Sequence, residues 1–184
     1  MSEWTMVQWS QARQITDLLG VKPPEAPRAG VAPADYFAGL VEAERRRDAV
    51  NFLALALPRY EAIAWASDVL GAFGGTDRDL DELRAFEIAR EWIRSPSETL
   101  RRRAEALASA MDGETPEKHL LMAIFFSGGS IAPEGQPPVH PRDDLTGRLA
   151  GAVIVLTALA ASDEKAALAE ALIIGERLAE RAEQ

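Results

Sequence analysis

The chain has two histidines, His119 and His140, and no cysteine, which removes thiolate nucleophiles, disulfides and cysteine-ligated zinc together. Neither histidine has a second histidine at i+4 or the glutamate of the metalloprotease arrangement, so no metal site and no cofactor is expected. Asp77, Asp79 and Asp81 alternate like the opening of a calcium loop. The sixth position, however, is Glu82 where a glycine must turn the chain, and the twelfth is Ile88 where a bidentate glutamate belongs. These acids fit a helix start instead, with Thr76 as cap and the carboxylates near the positive end of the helix dipole.

The most distinctive string is Phe125-Phe126-Ser127-Gly128-Gly129-Ser130-Ile131-Ala132-Pro133. Two glycines after a buried helix permit positive φ and can turn consecutive amides outward as an anion nest. No Lys-Ser or Lys-Thr pair follows, so this is not a phosphate loop, and no base stands at a recognisable spacing from Ser127 or Ser130. Ser127, Gly128, Gly129, Ser130, Pro133 and His140 are the candidate ligand or partner loop; the competing reading is a helix C-cap and a proline-braced loop packed over the core. Two triplets, Arg45 to Arg47 and Arg101 to Arg103, each cover most of a helical turn. At least one arginine of each lies along the core edge, and the rest read as solvated faces or as contacts for an acidic partner segment. Trp4 and Trp9 precede any sustained periodicity; they either fold back onto the body or anchor a partner chain.

The elements that must position these residues are helices. Alanine accounts for 33 of the 184 residues, while strand-favouring types are scarce. Ser10 to Leu19 is a short helix stopped by Gly20, and the proline-rich stretch Val21 to Ala32 sets residues 1–32 apart from a single helical domain, 33–184. Pro33 opens a helix striped by Tyr36, Phe37, Leu40 and Val41 that runs to the first arginine triplet, and Pro58 opens another ending at Gly74-Gly75. A further helix buries Leu80, Leu83, Phe86, Ala89, Trp92 and Ile93, and Ser95-Pro96-Ser97-Glu98 reads as the capping box of the next, with Ser95 as cap. Leu120 to Phe126 is a central apolar run started by Thr115-Pro116. The irregular stretch Ser127 to Pro141 precedes two last helices, about Pro141 to Ala161 and Asp163 to Arg181, the latter started by Ser162 and striped through Ala182. The fold class is all-α: a compact array of about seven to eight helices, mostly antiparallel neighbours, with no sheet.

Charge narrows the partners. With 20 basic and 29 acidic residues the net charge is −9, which disfavours nucleic acid and anionic membranes. The most apolar uncharged stretch, Leu149 to Ser162, falls short of the ~20 residues a spanning helix needs, so no membrane insertion is expected. Met1-Ser2-Glu3-Trp4 lacks the basic patch and apolar core of a secretory signal, which predicts a cytoplasmic protein.

Several strings resemble an uncharacterised family of small bacterial all-helical proteins encoded near type VI secretion genes. They are Leu57-Pro58-Arg59 with Glu61-Ala62 and Trp65-Ala66, Trp92 to Glu98 leading to Arg102-Arg103-Ala104, the Phe125 to Pro133 string, Pro138-Val139, Leu145-Thr146 and Gly151-Ala152-Val153. They span about Pro58 to Val153 and carry no active site across; the resemblance implies an accessory role in a secretion or signalling assembly. The expected function is that of a non-enzymatic adaptor or chaperone-like protein whose partner is another protein. The alternative is a small-molecule or enzymatic site on the 127–141 loop with Arg142, Asp143 or Asp144 nearby, and self-association into a homo-oligomer is a third.

Overall fold

The computed structural model describes residues 4–133 and 135–180. Among them are nine helices and no strand: α1 (Ala12–Leu19), α2 (Pro33–Glu42), α3 (Arg46–Ala56), α4 (Arg59–Phe73), α5 (Leu80–Arg94), α6 (Glu98–Ala110), α7 (Pro116–Phe125), α8 (Leu145–Ala160) and α9 (Glu164–Ala179). Helix α8 packs against α3, α4, α7 and α9, and α7 packs against α4, α5, α6 and α8, so these two apolar helices form the centre. Although a proline-rich stretch sets α1 off in sequence, Ala12 and Ile15 are fully buried in the common core, and α1 packs on α3.

The helix expected from Pro33 to the arginine triplet stops at Glu42, and a separate helix, α3, starts inside the triplet, which brings the described residues to nine helices against the expected seven to eight. Glu44 takes the left-handed conformation (φ 56°), its N–H donates to Val41 O at 3.0 Å, and Arg45 N–H donates to Leu40 O at 2.9 Å. This is a Schellman C-cap with a glutamate where glycine is usual, at a cost on the order of 1 kcal/mol. Several start signals also slide. Asp79, not Thr76, caps α5: its Oδ1 accepts from the N–H groups of Asp81 and Glu82, and Glu82 reaches back to Asp79 N–H. The first turn of α5 then clears the core, leaving Leu80 and Leu83 exposed while Ala85, Ile88, Ala89 and Trp92 are buried. Ser97 rather than Ser95 caps α6, and Asp163 rather than Ser162 caps α9. Helix α8 begins at Leu145, four residues after Pro141. Arg181 and Ala182 lie outside the described residues.

Missing side chains allow the closest helix crossings. A Cβ at Gly147 would sit 2.6 Å from Ala54 O of α3, and one at Gly151 2.8 Å from Asn51 Oδ1. On α9, Gly175 makes room for the fully buried Trp65 of α4, whose indole Nε1–H donates to Ala171 O at 2.8 Å. A buried ion pair, Arg78 Nε to Glu117 Oε1 at 2.9 Å, ties the α4–α5 connection to α7, with Arg78 Nη2 also donating to Leu70 O.

A Cβ at Gly175 would lie 2.5 Å from Trp65 Cε2 and 2.8 Å from Leu53 Cδ2. Gly175→Ala gains about 1 kcal/mol of helix propensity and loses about 1–3 kcal/mol to overpacking against an indole held by its hydrogen bond. The expected outcome is a lower melting temperature. Gly39→Ala, with nothing within 4 Å of its added Cβ, should raise it; thermal unfolding of both variants checks the contrast.

Candidate functional site

Helix α7 ends where Phe126 and Ser127 turn, Ser127 N–H and Oγ both donating to Ile124 O at 3.1 and 2.7 Å. Gly129 then adopts φ 64°. Ser130 Oγ accepts from the N–H groups of Ala132 and Val139, each at 3.1 Å, and Ile131 N–H donates to Val139 O at 2.8 Å. The loop therefore closes on itself between Ser130 and Val139. His140 Nδ1 lies 3.3 Å from Gly129 O and donates to it in the tautomer that carries its proton there.

Two arginines of α6 clamp this loop from below. Arg101, only 4% exposed, donates through Nη1 to Phe125 O at 2.6 Å and through Nη2 to Ser130 O at 2.7 Å. Arg102 donates through Nη2 to Ser130 O at 2.7 Å and Ala132 O at 3.0 Å. Glu98, three and four residues upstream, binds both guanidiniums, and the Phe125 ring lies beneath them at 5.1 and 5.6 Å. A Cβ at Gly129 would come within 2.9 Å of Arg101 Nη2, so this glycine answers both to its φ and to the clamp. Arg101 is the member of the second triplet that lies against the core, as expected of at least one of the three, and Arg103 is exposed. Glu98 stands at i−3 and i−4 from Arg101 and Arg102, a spacing that marks the ion pairs but not the carbonyls these guanidiniums reach.

The loop thus turns carbonyls towards cations, and its amides at Ile131, Ala132 and Val139 are spent within it. Ser127, Gly128, Gly129, Ser130 and His140 are gathered in one place; Pro133 lies at the exposed tip. Asp144 is buried and held by Arg142 Nη2 at 2.7 Å and Arg148 Nε at 2.6 Å. His119 stands apart at the start of α7, with Nδ1 2.9 Å from Thr115 O. Among the described residues, no three histidine or acidic side chains gather as a metal would require.

Both tryptophans fold back. The Trp4 ring packs on Phe37 with centroids 5.1 Å apart, and Trp9 Nε1–H donates to Leu55 O at 3.2 Å. Trp9 also walls a cleft of about 480 Å³ together with Gln8, Leu57, Pro58, Arg59 and Asp143. Arg59 joins cleft to loop: Nη1 donates to Ser127 O at 3.1 Å and Nη2 meets Asp143 Oδ1 at 2.5 Å. In the sequence Arg59 stands out only within the Leu57-Pro58-Arg59 string, because a lone arginine carries no spacing signal.

A family model described as a family of unknown function, DUF6931, matches residues 36–179. The chain belongs to DUF6931. The DUF6931 match takes in the loop, its clamp and Arg59, and it extends beyond the resembling strings at both ends to include all of α9; α1, Trp4 and Trp9 lie outside it. No curated protein and no solved structure matches the chain.

Arg101→Ala would strand Phe125 O, leave Ser130 O to Arg102 alone and uncover the buried loop base, and is expected to destabilise by about 3 kcal/mol, against about 1 kcal/mol for the more exposed Arg102→Ala. Denaturant unfolding measures the difference, and hydrogen exchange at Ile131 N–H should accelerate in Arg101→Ala. The same clamp predicts acid sensitivity. The hydrogen bond from Arg101, opposed by burial and reinforced by Arg102, holds the Glu98 carboxyl below its ordinary value of 4.5. Burial pushes Asp144 up, but Arg148 and Arg142 outweigh it and leave that carboxyl below its ordinary 3.8. A depressed folded-state value means that the stabilisation is complete above the ordinary value and is lost as pH falls through the folded one. Urea midpoints should therefore drop below about pH 4, with a shallower drop in Glu98→Gln.

Proposed function

We propose that this DUF6931 protein is a non-enzymatic adaptor that holds a segment of another protein in the cleft between Trp9 and Arg59, along the edge of the 127–141 loop. The observation that carries this reading is the use to which the loop's reactive groups are put. Ser127 Oγ, Ser130 Oγ and His140 Nδ1 all contact backbone, and among the described residues none hydrogen-bonds another candidate catalytic group. The adjoining cleft keeps equipment for contact: an aromatic and aliphatic wall of Trp9, Leu57 and Pro58, and the Arg59–Asp143 pair at its rim. The Asp143 side chain is 93% exposed, so the pair contributes little stability, and Arg59 can exchange Asp143 for a partner carboxylate at small cost. The expected partner segment presents an apolar side chain to the wall and an acid to Arg59. The resemblance to proteins encoded near type VI secretion genes supports a place in a bacterial secretion assembly.

The test is a photo-crosslinking amino acid at the exposed Gln8, compared with one at Lys165 on α9, in the native host. One discrete adduct from Gln8, absent from Lys165 and lost when Arg59→Glu is added, is the expected result. No adduct at Gln8, or the same adduct from both positions, would sink the adaptor reading.

A further inference from the structure

A second cleft, sharing no lining residue with the first, opens beside the break between α2 and α3 and encloses about 320 Å³. Leu19 and Leu40 give it apolar surface, and the Tyr36 ring, backed by the fully buried Phe52 at 5.0 Å between centroids and a 56° tilt, forms an aromatic wall. Arg45, Asp48, Asn51 and Arg148 line it as well. Its size is at the small end of the ~300–1,000 Å³ of ligand pockets, and its lining sets several converging polar groups beside a smaller apolar surface.

The charges specify the ligand further. Arg148 is committed, through Nε to Asp144 and through Nη2 to Leu18 O. Arg45 uses only Nε, on Asp48 Oδ2 at 2.8 Å; its two Nη groups have no hydrogen-bond partner among the described residues. The Asn51 amide and the Tyr36 hydroxyl likewise make no hydrogen bond among the described residues, and burial raises the Tyr36 pKa further above its ordinary 10.0. The left-handed Glu44 places Arg45 at this mouth, a strained turn directly before the guanidinium whose Nη edge is open to a ligand. One guanidinium edge suits a carboxylate held in bidentate fashion, whereas a phosphate dianion beside Asp48 would lack donors and meet repulsion.

We propose that this cleft binds a small aromatic monocarboxylate, its carboxylate on the Nη edge of Arg45 and its ring against Tyr36, with Asn51 and the Tyr36 hydroxyl serving substituents. Asp48 competes with the ligand for Arg45 and sets the affinity.

The experiment titrates the full chain with benzoate and follows the Asn51 side-chain amide and the Arg45 Nε–H by NMR. Saturable shifts at both groups are expected, with benzyl alcohol binding about tenfold more weakly for want of the charge. Arg45→Met should weaken benzoate about tenfold or more at a nearly unchanged ligand-free melting temperature, and Asp48→Asn should tighten it severalfold. The opposite signs for Arg45→Met and Asp48→Asn separate a ligand contact from a general loss of structure. Equal binding of benzoate and benzyl alcohol, weakening by Asp48→Asn, or no shift at about 10 mM benzoate would overturn the site. Hexanoate binding as tightly as benzoate would overturn the aromatic assignment.

Discussion

The structure depends on how closely α8 can approach its neighbours. Gly147 and Gly151 bring α3 near enough for Ala54 O and Asn51 Oδ1 to lie where side chains would otherwise stand, and Gly175 does the same for Trp65 between α4 and α9. Close approach raises packing density around α8, where Ala150, Val153, Ile154 and Ala158 are fully buried. It also fixes the two clefts. Leu55, Leu57 and Trp9 meet at one end of α3, while Asn51 and Phe52 face the other cleft from its middle, so both hollows inherit their shape from this crossing.

Arginine performs the task that a longer core would perform elsewhere. Arg101 and Arg102 convert an irregular segment into a fixed surface by taking up the carbonyls of Phe125, Ser130 and Ala132, which no helix or sheet would satisfy. Arg59 extends the same logic from α4 to Ser127 O. An unpaired buried guanidinium is expensive, and Glu98 with the Phe125 face offsets that cost. The arrangement ties α4, α6 and α7 to one loop, and the loop's position is a property of the whole bundle.

The helical class was legible because alanine content and three-and-four spacing point the same way, and the centrality of α7 and α8 followed from their uninterrupted apolar runs. Boundaries were less legible where several caps stand side by side. Thr76, Asp77 and Asp79, or Ser95 and Ser97, are chemically equivalent candidates, and tertiary packing selects among them. The break at Glu44 left no trace, since its left-handed turn uses neither glycine nor proline. At the candidate site, glycine and proline marked the loop correctly. A run of three arginines does not say which one faces inward, and the partner of Arg101 is a set of carbonyls, groups that every residue carries and no composition reveals.

The clamp grips the loop at its two ends, through Phe125, Ser130 and Ala132 on one side and the pairing of Val139 on the other, and leaves the tip around Gly135, Gln136 and Pro137 in solvent. Closure entropy grows only with the logarithm of length, so doubling such a tip costs roughly 0.6 kcal/mol. Length and sequence at this tip can therefore change at little cost to the scaffold that holds it.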